Sequence, residues 1–411
     1  MMHHSDKLEG KDILVVGIQP WDYHIGSNCK NIAIEFARHN RVLYVNQPLD
    51  RITRLRNATK PEVKKRLSII RGKQDGLEEI NENLWVFYPS KMAESINKLP
   101  DNGIYDYFNL RNNKIFASEI KKAIQALDFK LDVLFNDSSM FLGYHLKELL
   151  NPGVSIYYTR DNLISQPYFG KHGTRLEPQL AQNYDAVVSN SDYLAMVLRK
   201  ANPQSYMVGQ GCDLSLFDRE ANYRVPEDLS SIPGPIVGYI GFLTSMRLDI
   251  ELLVHFSKSN PDINLVLIGP EDDDFKNSEL HKLGNVYFLG SKDSTLLPSY
   301  IKGFDVAINP QVVNEMTVGN YPRKIDEYLA MGKPTLATYT ETMEYFKDHV
   351  YLSRSKEEFS DLAKKAIEEN TPQLETERSN FASEHTWENN VKNIYEVINM
   401  ITESRKKDPV Q

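Results

Sequence analysis

The stretch SSIPGPIVGYIGF (residues 230–242) decides the fold, because a proline-rich break is followed there by the first of a new series of strands. The run IVGYIGF (236–242) is short and apolar, which is typical of a buried strand in a parallel sheet. Further runs of this kind follow, namely INLVLIGP (263–270), NVYFLG (285–290), DVAINP (305–310) and PTLAT (334–338). Longer amphipathic segments separate them, so the second half of the chain is predicted to be a doubly wound α/β domain.

The first half of the chain shows the same alternation. Its apolar runs are DILVVGI (12–18), RVLYVN (41–46), LDVLFND (131–137), VSIYYTRD (154–161) and YDAVVSNS (184–191). Between the first two runs, NCKNIAIEFARH (28–39) predicts a helix. Polar residues end several of these runs, and the carboxyl ends of parallel strands are where such sheets bind ligands.

These patterns predict two Rossmann-like domains that face each other across a cleft. The first domain is expected over residues 1–206 and the second over 207–385, with a terminal helix and tail at 386–411. The segment WENNVKNIYEVINMI (387–401) has apolar residues at helical spacing, and we expect this helix to return to the first domain.

The composition excludes several classes of protein. The chain has 411 residues, too many for one ordinary core, with 41% hydrophobic and 25% charged residues, as in globular domains. A net charge of −8 argues against nucleic acid as a partner. Cys29 and Cys212 lack the spacing of a zinc site and are too few for a disulfide scaffold. Because no apolar stretch has the length of a signal peptide or membrane span, we expect a cytoplasmic protein, peripheral at most at the inner face of the membrane.

The stretch GNYPRKIDEYLAMGKP (319–334) is punctuated like a helix at both ends. Pro322 stands near the expected first helical position, and Gly332 stands where a left-handed cap belongs. Helical spacing turns Ile325, Tyr328 and Leu329 toward the core. The opposite face is shared by Asn320, Arg323 or Lys324, and Glu327.

The charged face has the chemistry to bind a nucleoside diphosphate. Backbone amides at Gly319 and Asn320 and the positive end of the helix dipole can meet an anion, and Arg323 or Lys324 can add charge-assisted contacts. Glu327 lies one turn deeper, where a carboxylate can accept hydrogen bonds from the vicinal hydroxyls of a ribose. The alternative is a solvated helix face with an ordinary intrahelical ion pair.

This half of the chain resembles the retaining glycosyltransferases with two Rossmann domains (the GT-B type, family 4-like), in particular those of bacterial envelope and exopolysaccharide assembly. The resemblance lies in PRKIDEYLAMGKPTLAT (322–338), IVGYIGFLTSMRLD (236–249), LVLIGP (265–270) and FDVAINP (304–310). It implies a hexosyltransferase that moves a sugar from a nucleotide diphosphate sugar, linked to UDP or GDP, to a saccharide or lipid-linked acceptor, with retention and without a metal or another cofactor.

The resemblance also assigns donor-binding residues, with two departures from the family pattern. Of the family's two glutamates eight positions apart, the second matches Glu327, but the first falls on Gly319. The Arg and Lys that follow the first strand of the domain correspond here to Phe242 and Arg247. The resemblance thus places Arg247, Gly319 and Glu327 in the donor site, together with Gly241, Asn320, Arg323 and Lys324. Arg323 and Lys324 could compensate for the missing base, and Glu315 could contact the sugar in place of the missing acid.

The acceptor side is expected at loops of the first domain, one of them GIQPWDYHIGS (17–27). The candidate acceptor-binding residues are Trp21, Gly26 and Arg160, and the candidate catalytic residues are His24, Asp137 and Asp161. Each of them could equally cap a loop or serve the fold, and the resemblance assigns no protein nucleophile.

Other motifs do not indicate a cofactor. The acidic run EDDDF (271–275) follows a strand and is interpreted as a solvated loop rather than a metal site. The stretch GQG (209–211) lacks the third glycine of a dinucleotide-binding fingerprint, so an NAD enzyme is not expected.

One segment, residues 51–73, is strongly basic, with nine Lys or Arg against one acid. It is either a solvated loop and helix or a surface for anionic lipid headgroups and lipid-linked diphosphate acceptors. Its interleaved apolar residues favour the second interpretation, and they are Leu55, Val63, Leu67, Ile69 and Ile70.

The leading hypothesis is therefore a glycosyltransferase of cell-surface polysaccharide synthesis. A nucleotide-sugar epimerase shares the architecture, so the fold does not exclude it. A third hypothesis is a non-catalytic subunit that has lost donor contacts. It is suggested by Gly319 and Phe242, which stand where the family pattern has donor-binding residues.

Overall fold

The computed structural model describes residues 7–23 and 27–407, and the chain divides into two compact units. Unit 1 takes in the chain up to Gly209 and the segment from Trp387 onward, and unit 2 is Gln210–Thr386. The chain therefore leaves unit 1 after Gly209 and re-enters it at Trp387.

Unit 1 is built on strands β1 to β8 and helices α1 to α7. The strands are β1 (Asp12–Gly17), β2 (Arg41–Val45), β3 (Leu77–Asn81), β4 (Leu84–Phe87), β5 (Val133–Asp137), β6 (Val154–Thr159), β7 (Ala186–Ser189) and β8 (Ser205–Met207). The helices are α1 (Asn28–Phe36), α2 (Arg51–Arg56), α3 (Pro61–Ile70), α4 (Gly103–Leu127), α5 (Leu146–Leu150), α6 (Pro167–Asn183) and α7 (Asp192–Arg199).

The strands of unit 1 form one sheet in the order β3-β4-β2-β1-β5-β6-β7-β8. Only the edge pair β3–β4 is antiparallel among the described strands. All residues of β1, β5 and β6 are buried, because helices cover both faces of a doubly wound sheet.

Unit 2 is built on strands β9 to β14 and helices α8 to α14. The strands are β9 (Ile236–Ile240), β10 (Asn264–Ile268), β11 (Val286–Gly290), β12 (Val306–Asn309), β13 (Thr335–Thr338) and β14 (Tyr351–Ser353). The helices are α8 (Glu227–Ser230), α9 (Ile250–Ser259), α10 (Asp273–Lys276), α11 (Leu297–Lys302), α12 (Lys324–Ala330), α13 (Lys356–Glu368) and α14 (Pro372–Ser383).

The strands of unit 2 form a parallel sheet in the order β11-β10-β9-β12-β13-β14. The order reverses beside β9, so loops that follow β9 and β12 lie next to each other at the carboxyl edge, where open α/β sheets bind ligands. Short 3-10 helices occur in both units, at Leu163–Ser165, Glu279–Lys282, Ser294–Leu296 and Thr342–Phe346.

The last helix, α15 (Trp387–Lys407), belongs to unit 1, as the sequence predicted. It packs on α1, where the Tyr395 ring stacks on Phe36 at 5.5 Å between centroids. The Asn40 side-chain amide also donates to the Tyr395 hydroxyl at 3.1 Å. Within the two described ranges, no helix is both long and apolar enough to cross a membrane.

Candidate functional site

Two loops of unit 2 meet at the carboxyl edge of its sheet. One follows β9 and contains Gly241 and Arg247, and the other follows β12 and leads to α12. The Val312 amide donates to the Arg247 carbonyl at 2.9 Å, and Leu248 pairs with Gln311 as an isolated bridge. Residues more than 60 positions apart in sequence are thereby held beside each other.

Helix α12 has the capping and the faces that the sequence predicted, with a later start. Gly332 has a φ of 72°, a left-handed conformation that favours glycine. Pro322 lies before the cap, which is Arg323, because the helix begins only at Lys324. The core-facing residues Ile325, Tyr328 and Leu329 are fully buried.

Lys324 reaches back to the end of β9. Its ammonium group contacts the Tyr239 hydroxyl and lies 4.2 Å from the centre of the Tyr239 ring. Gly241 adopts a φ of +148°, and a Cβ there would come within 2.9 Å of Lys324 Nζ and 2.8 Å of the Tyr239 hydroxyl. A side chain at residue 241 would therefore fill the space beside the ammonium group, which glycine leaves open.

The charged groups around Glu327 are close together without being paired. Among the described residues, neither Arg323 nor Lys324 forms an ion pair with Glu327, and no side chain hydrogen-bonds to the Glu327 carboxylate. Burial raises the pKa of Glu327 from 4.5 to about 7, although Arg323 and Lys324 act to lower it. This arrangement disagrees with the alternative of a solvated face held by an intrahelical ion pair.

The Asn320 amide differs from the expectation that it is available to bind an anion. The Asn320 amide already donates to the Thr317 carbonyl at 3.0 Å, in a turn that the Asn314 side chain also stabilises. Gly319 is buried in the same turn. The Asn320 side-chain oxygen is buried and accepts no hydrogen bond within the described part of the chain.

The β9–α9 loop carries Phe242 and Arg247, which stand where the family pattern has an Arg and a Lys. Arg247 and Phe242 are both exposed, with 56% of Phe242 accessible. The loop is held by Asp272, whose carboxylate accepts from the Ser245 amide at 2.8 Å and from the Phe275 amide at 2.9 Å. The run EDDDF is therefore not a simple solvated loop. Asp273 and Asp274 are exposed, but they begin helix α10, which Asp272 caps while it also holds the neighbouring loop.

In unit 1, the candidate residues after β5 and β6 form one ionic cluster. Asp137 is fully buried, and its carboxylate accepts from Arg160 Nε at 3.1 Å. Arg160 also faces Asp161 at 3.4 Å, and the Asp161 side chain is 39% exposed. Asp161 is therefore the carboxylate of this pair that solvent or a substrate can reach.

The loop after β1 holds Trp21 against its neighbours. The Trp21 amide donates to the Asn46 side chain at 2.8 Å, and its ring meets Tyr44 edge to face at 5.1 Å. The Lys30 ammonium lies 4.7 Å from the centre of the indole ring. His24 and Gly26, predicted for the same loop, lie outside the described residues.

A cavity of about 300 Å³ opens beside Asp161, between α6 and α7. Its walls are mostly apolar, with Ile164, Leu194 and Val197 among them. Glu177 also lines it, and the Tyr157 hydroxyl donates to this carboxylate at 2.7 Å. Sequence analysis did not single out Glu177.

Part of the basic segment 51–73 forms ion pairs and packing contacts inside unit 1. Arg66 is buried, and its two terminal guanidinium nitrogens donate to the Asp22 carboxylate at 3.0 and 3.1 Å. Lys65 pairs with Glu78 at 2.8 Å. Val63 and Ile69 pack into the interior and are not surface residues as the membrane interpretation needed, whereas Leu55 is 80% exposed.

Sequence analysis also missed the partners of the candidate donor helix. Tyr239 is 85 positions from Lys324, and His385 is 59 positions from Asp326, to which its Nδ1 lies at 2.6 Å. An acidic residue between Ile325 and Tyr328, on the apolar side of the helix, was the available signal for a buried partner. Within residues 7–23 and 27–407, no three His, Cys, Asp or Glu side chains are grouped to hold a metal ion.

Comparisons with solved structures agree on the fold. Residues along 97% of this chain superpose on all of HepE from Anabaena, solved with UDP and glucose, with a TM-score of 0.60 and 15% identity. Sucrose-phosphate synthase from Thermosynechococcus elongatus gives a TM-score of 0.60 and 15% identity, with 97% of this chain and 98% of that chain covered. The two-domain GT-B fold predicted from the sequence is thereby confirmed.

Comparisons with sequences concern mainly unit 2. Residues 234–369 match the family described as glycosyl transferases group 1. A putative teichuronic acid biosynthesis glycosyltransferase, TuaH of Bacillus subtilis strain 168, is 28% identical over 201 residues, which cover 47% of this chain and 50% of that relative. The chain thus aligns with about half the length of this curated relative. Both matches support the transferase class that the sequence predicted, and the relative named for teichuronic acid biosynthesis is a protein of polysaccharide biosynthesis.

Proposed function

We propose that this protein is a glycosyltransferase that moves a sugar from a nucleotide diphosphate sugar to a saccharide or lipid-linked acceptor in cell-surface polysaccharide synthesis. Unit 2 would bind the donor, and unit 1 would bind the acceptor. The match to a teichuronic acid biosynthesis enzyme supports the polysaccharide context. HepE was solved with UDP, UDP-glucose or UDP and glucose, which supports UDP as the first nucleotide to test, with GDP as the second.

The proposal that unit 2 binds the donor at α12 rests on one observation. Arg323, Lys324 and Glu327 are neighbours that form no ion pair among themselves. Burial raises the pKa of Glu327, and no side chain of the described residues donates a hydrogen bond to its carboxylate. Keeping a carboxylate from water and from protein donors costs free energy, and a bound ligand that donates hydrogen bonds to it can offset that cost. Ribose hydroxyls supply the donors that Glu327 lacks, and a diphosphate supplies the anion that the two cations lack.

The proposed role of the cations is to stabilise the leaving diphosphate. Arg323 and Lys324 stand at the start of α12, and Lys324 Nζ lies next to the opening that Gly241 leaves. As the glycosidic bond breaks, negative charge grows on the diphosphate, and fixed cations favour that state over the intact donor. The Asn320 amide is already bonded within its turn, so side chains rather than that amide would supply the charge. Arg247 would approach the same phosphates from the exposed β9–α9 loop.

We propose different roles for the two carboxylates of unit 1. Asp137 is fully buried and paired with Arg160, so it would hold Arg160 in place rather than contact substrate. Asp161, partly exposed and beside Arg160, would face the acceptor together with Trp21. Retention of the anomeric configuration is part of the proposal, and NMR of the product anomer tests it.

The proposal is tested first by nucleotide binding. UDP is expected to raise the melting temperature of the wild-type protein, and Glu327→Ala is expected to weaken UDP affinity because the ribose acceptor is lost. Arg323→Ala with Lys324→Ala should lower kcat, since these residues stabilise the leaving group. Failure of UDP, GDP and ADP alike to shift the melting temperature would instead indicate a non-catalytic subunit.

A second measurement separates transferase from epimerase. The protein is incubated with a nucleotide sugar alone and with an added acceptor, and the sugar is followed by NMR. Conversion of the nucleotide sugar to its epimer without acceptor would contradict the proposal. Slow hydrolysis to free nucleotide and sugar, with faster turnover when acceptor is present, is the expected result.

We also propose that the exposed part of segment 51–73 contacts anionic lipid. After internal pairing, Arg54, Arg56, Lys60 and Lys64 remain on the surface, around the exposed Leu55. Cosedimentation with liposomes is expected to increase with phosphatidylglycerol content, since each cation near such a surface is worth about 1 kcal/mol. Arg56→Glu with Lys60→Glu should abolish the effect.

The matched control for lipid binding is Lys282→Glu with Lys302→Glu, which makes the same charge change at exposed sites of unit 2. This variant should sediment like the wild type. Binding that ignores lipid charge, or an equal loss in both variants, would show that net charge rather than this surface is responsible.

A further inference from the structure

Asp326, the residue before Glu327, is the centre of a buried hydrogen-bond network in unit 2. It is fully buried, and its carboxylate faces His385 Nδ1 at 2.6 Å and the Tyr321 hydroxyl at 3.2 Å. The Cys212 thiol faces its other oxygen at 3.1 Å. An ionised carboxylate only accepts, so the tautomer of His385 with hydrogen on Nδ1 is the one that donates a hydrogen bond to Asp326.

The network continues beyond the imidazole. His385 Nε2 lies 3.0 Å from the Tyr345 hydroxyl, so both ring nitrogens of this buried histidine have partners. Rotation of the ring is therefore opposed at both ends. The imidazole is fixed in one orientation, and it holds Asp326 in turn.

Two of the partners of Asp326 lie at the two ends of unit 2. Cys212 comes two residues after its start at Gln210, and His385 comes just before its end at Thr386. The Cys212 amide donates to the His385 carbonyl at 2.9 Å, and Cys212 pairs with Thr386 as a parallel bridge. The first turn of α12 is thus tied to the paired segments by which the chain enters and leaves the unit.

Helix α12 needs such a tie, because it has seven residues and few backbone bonds of its own. Successive residues of a helix are rotated by about 100° around its axis, so a fixed Asp326 also fixes the direction in which Glu327 points. Glu327 itself has no side-chain partner within the described residues that could fix it. The position of the Glu327 side chain therefore depends on that of Asp326.

We propose that Asp326 and His385 are positioning residues of the donor site, which hold α12 in the rotation that presents Glu327 to the nucleotide ribose. The inference rests on the proposed function, because it assigns these residues to the same donor site. It differs from a purely structural role, in which the network stabilises unit 2 without any dependence on Glu327.

A double-mutant cycle distinguishes the two roles. The Kd of UDP is measured for the wild type, His385→Leu, Glu327→Ala and the double variant. His385→Leu is expected to raise Kd about tenfold in the wild type and less than about twofold when Glu327 is already alanine, since residues that act through one another are not additive. His385→Asn, whose amide can replace the Nδ1 donor, should restore most of the affinity.

An equal loss from His385→Leu in both backgrounds would overturn the inference, and so would an unchanged Kd. Should His385→Leu fail to fold, Tyr321→Phe carries the same cycle, because it removes one hydroxyl from Asp326 at nearly constant volume. We expect it to raise Kd about threefold, with no effect once Glu327 is alanine; no effect in either background overturns the inference. If the wild type binds no nucleotide, or if Glu327→Ala leaves Kd unchanged, the result contradicts the proposed donor site itself rather than the positioning role of His385.

Discussion

Replacement of Glu177 by glutamine is expected to stabilise unit 1 at neutral and alkaline pH. Glu177 lies in α6 with 7% of its surface exposed, and burial raises its pKa from 4.5 to about 7. The hydrogen bond from the Tyr157 hydroxyl acts in the opposite direction but does not cancel the effect of burial. In the unfolded chain the carboxyl group is hydrated and titrates near 4.5.

The sign of the pH effect follows from these two pKa values. The folded state holds the proton more tightly, so the unfolded chain ionises first as pH rises. Stability is therefore lost between about pH 4.5 and 7, and the loss is complete above the folded pKa. The difference between the two pKa values corresponds to about 3 kcal/mol of unfolding free energy.

Glu177→Gln removes the ionisation while keeping the size of the side chain and an oxygen that accepts from Tyr157. At pH 8 the variant should be more stable than the wild type by up to about 3 kcal/mol, and at pH 4.5 the two should be equal within about 0.5 kcal/mol. The assay is urea unfolding followed by tryptophan fluorescence. All three tryptophans of the chain, Trp21, Trp85 and Trp387, belong to unit 1, so the signal reports this unit alone.

The control is Glu82→Gln, which removes an exposed carboxylate from the turn between β3 and β4. It should change the unfolding free energy by less than about 0.5 kcal/mol at either pH. A Glu177→Gln variant no more stable than the wild type at pH 8 would refute the reasoning. A gain of equal size at pH 4.5 would refute it as well, because the cause would then be packing and not ionisation.

Three further predictions concern the proposed donor site. Binding of UDP-glucose, whose diphosphate does not titrate near neutrality, should tighten about tenfold from pH 6 to pH 8 as Glu327 ionises around pH 7, and Glu327→Gln should abolish this dependence in calorimetric titrations. Gly241→Ala should weaken UDP binding at least tenfold, because residue 241 has a φ of +148° and a Cβ would crowd Lys324 Nζ. Gly290→Ala, at a φ of +68° with nothing within 4 Å, is its control and should cost stability but not affinity. EDTA should leave sugar transfer unchanged, and a loss of rate that Mg²⁺ restores would contradict the assignment of the diphosphate to Arg323 and Lys324.

The sheets could be predicted because their central strands are continuous apolar runs. The runs at 12–18, 131–137 and 236–242 correspond to β1, β5 and β9, with ends that differ by one or two residues. A parallel strand buried on both faces has no polar positions, so its sequence stands out from the helices beside it. The alternation of such runs with amphipathic segments then leaves few architectures open.

The sheet edges could not be predicted in the same way. Strands β8 and β14 have three residues each, too few for any periodicity to show. The antiparallel hairpin of β3 and β4 includes a strand, Leu77–Asn81, in which no residue is buried. Helix α6 contains Pro178 in its interior, which sequence reasoning treats as a helix breaker.

The candidate site likewise has features that the local sequence predicted and features that it could not predict. The faces of α12 followed from helical spacing, and the glycine cap at Gly332 followed from the residue types that end the helix. The contact of Lys324 with Tyr239 and that of Asp326 with His385 depend on how distant segments pack, which local pattern does not encode. The expectation for the Asn320 amide failed for a local reason, because the turn stabilised by Asn314 had already used this donor.

The adjacent acids Asp326 and Glu327 indicate how one short helix serves both the fold and a ligand. The helix turns them in different directions, and only the inward acid has donors, from His385, Tyr321 and Cys212. The outward acid is half-buried, yet no side chain of the described residues donates to it. Folding alone would favour a partner for Glu327 or an apolar residue in its place, because an unsatisfied carboxylate is costly. The cost is explained if the donors arrive with the ligand, and this asymmetry between neighbouring carboxylates is the physical reason to look for the nucleotide at Glu327.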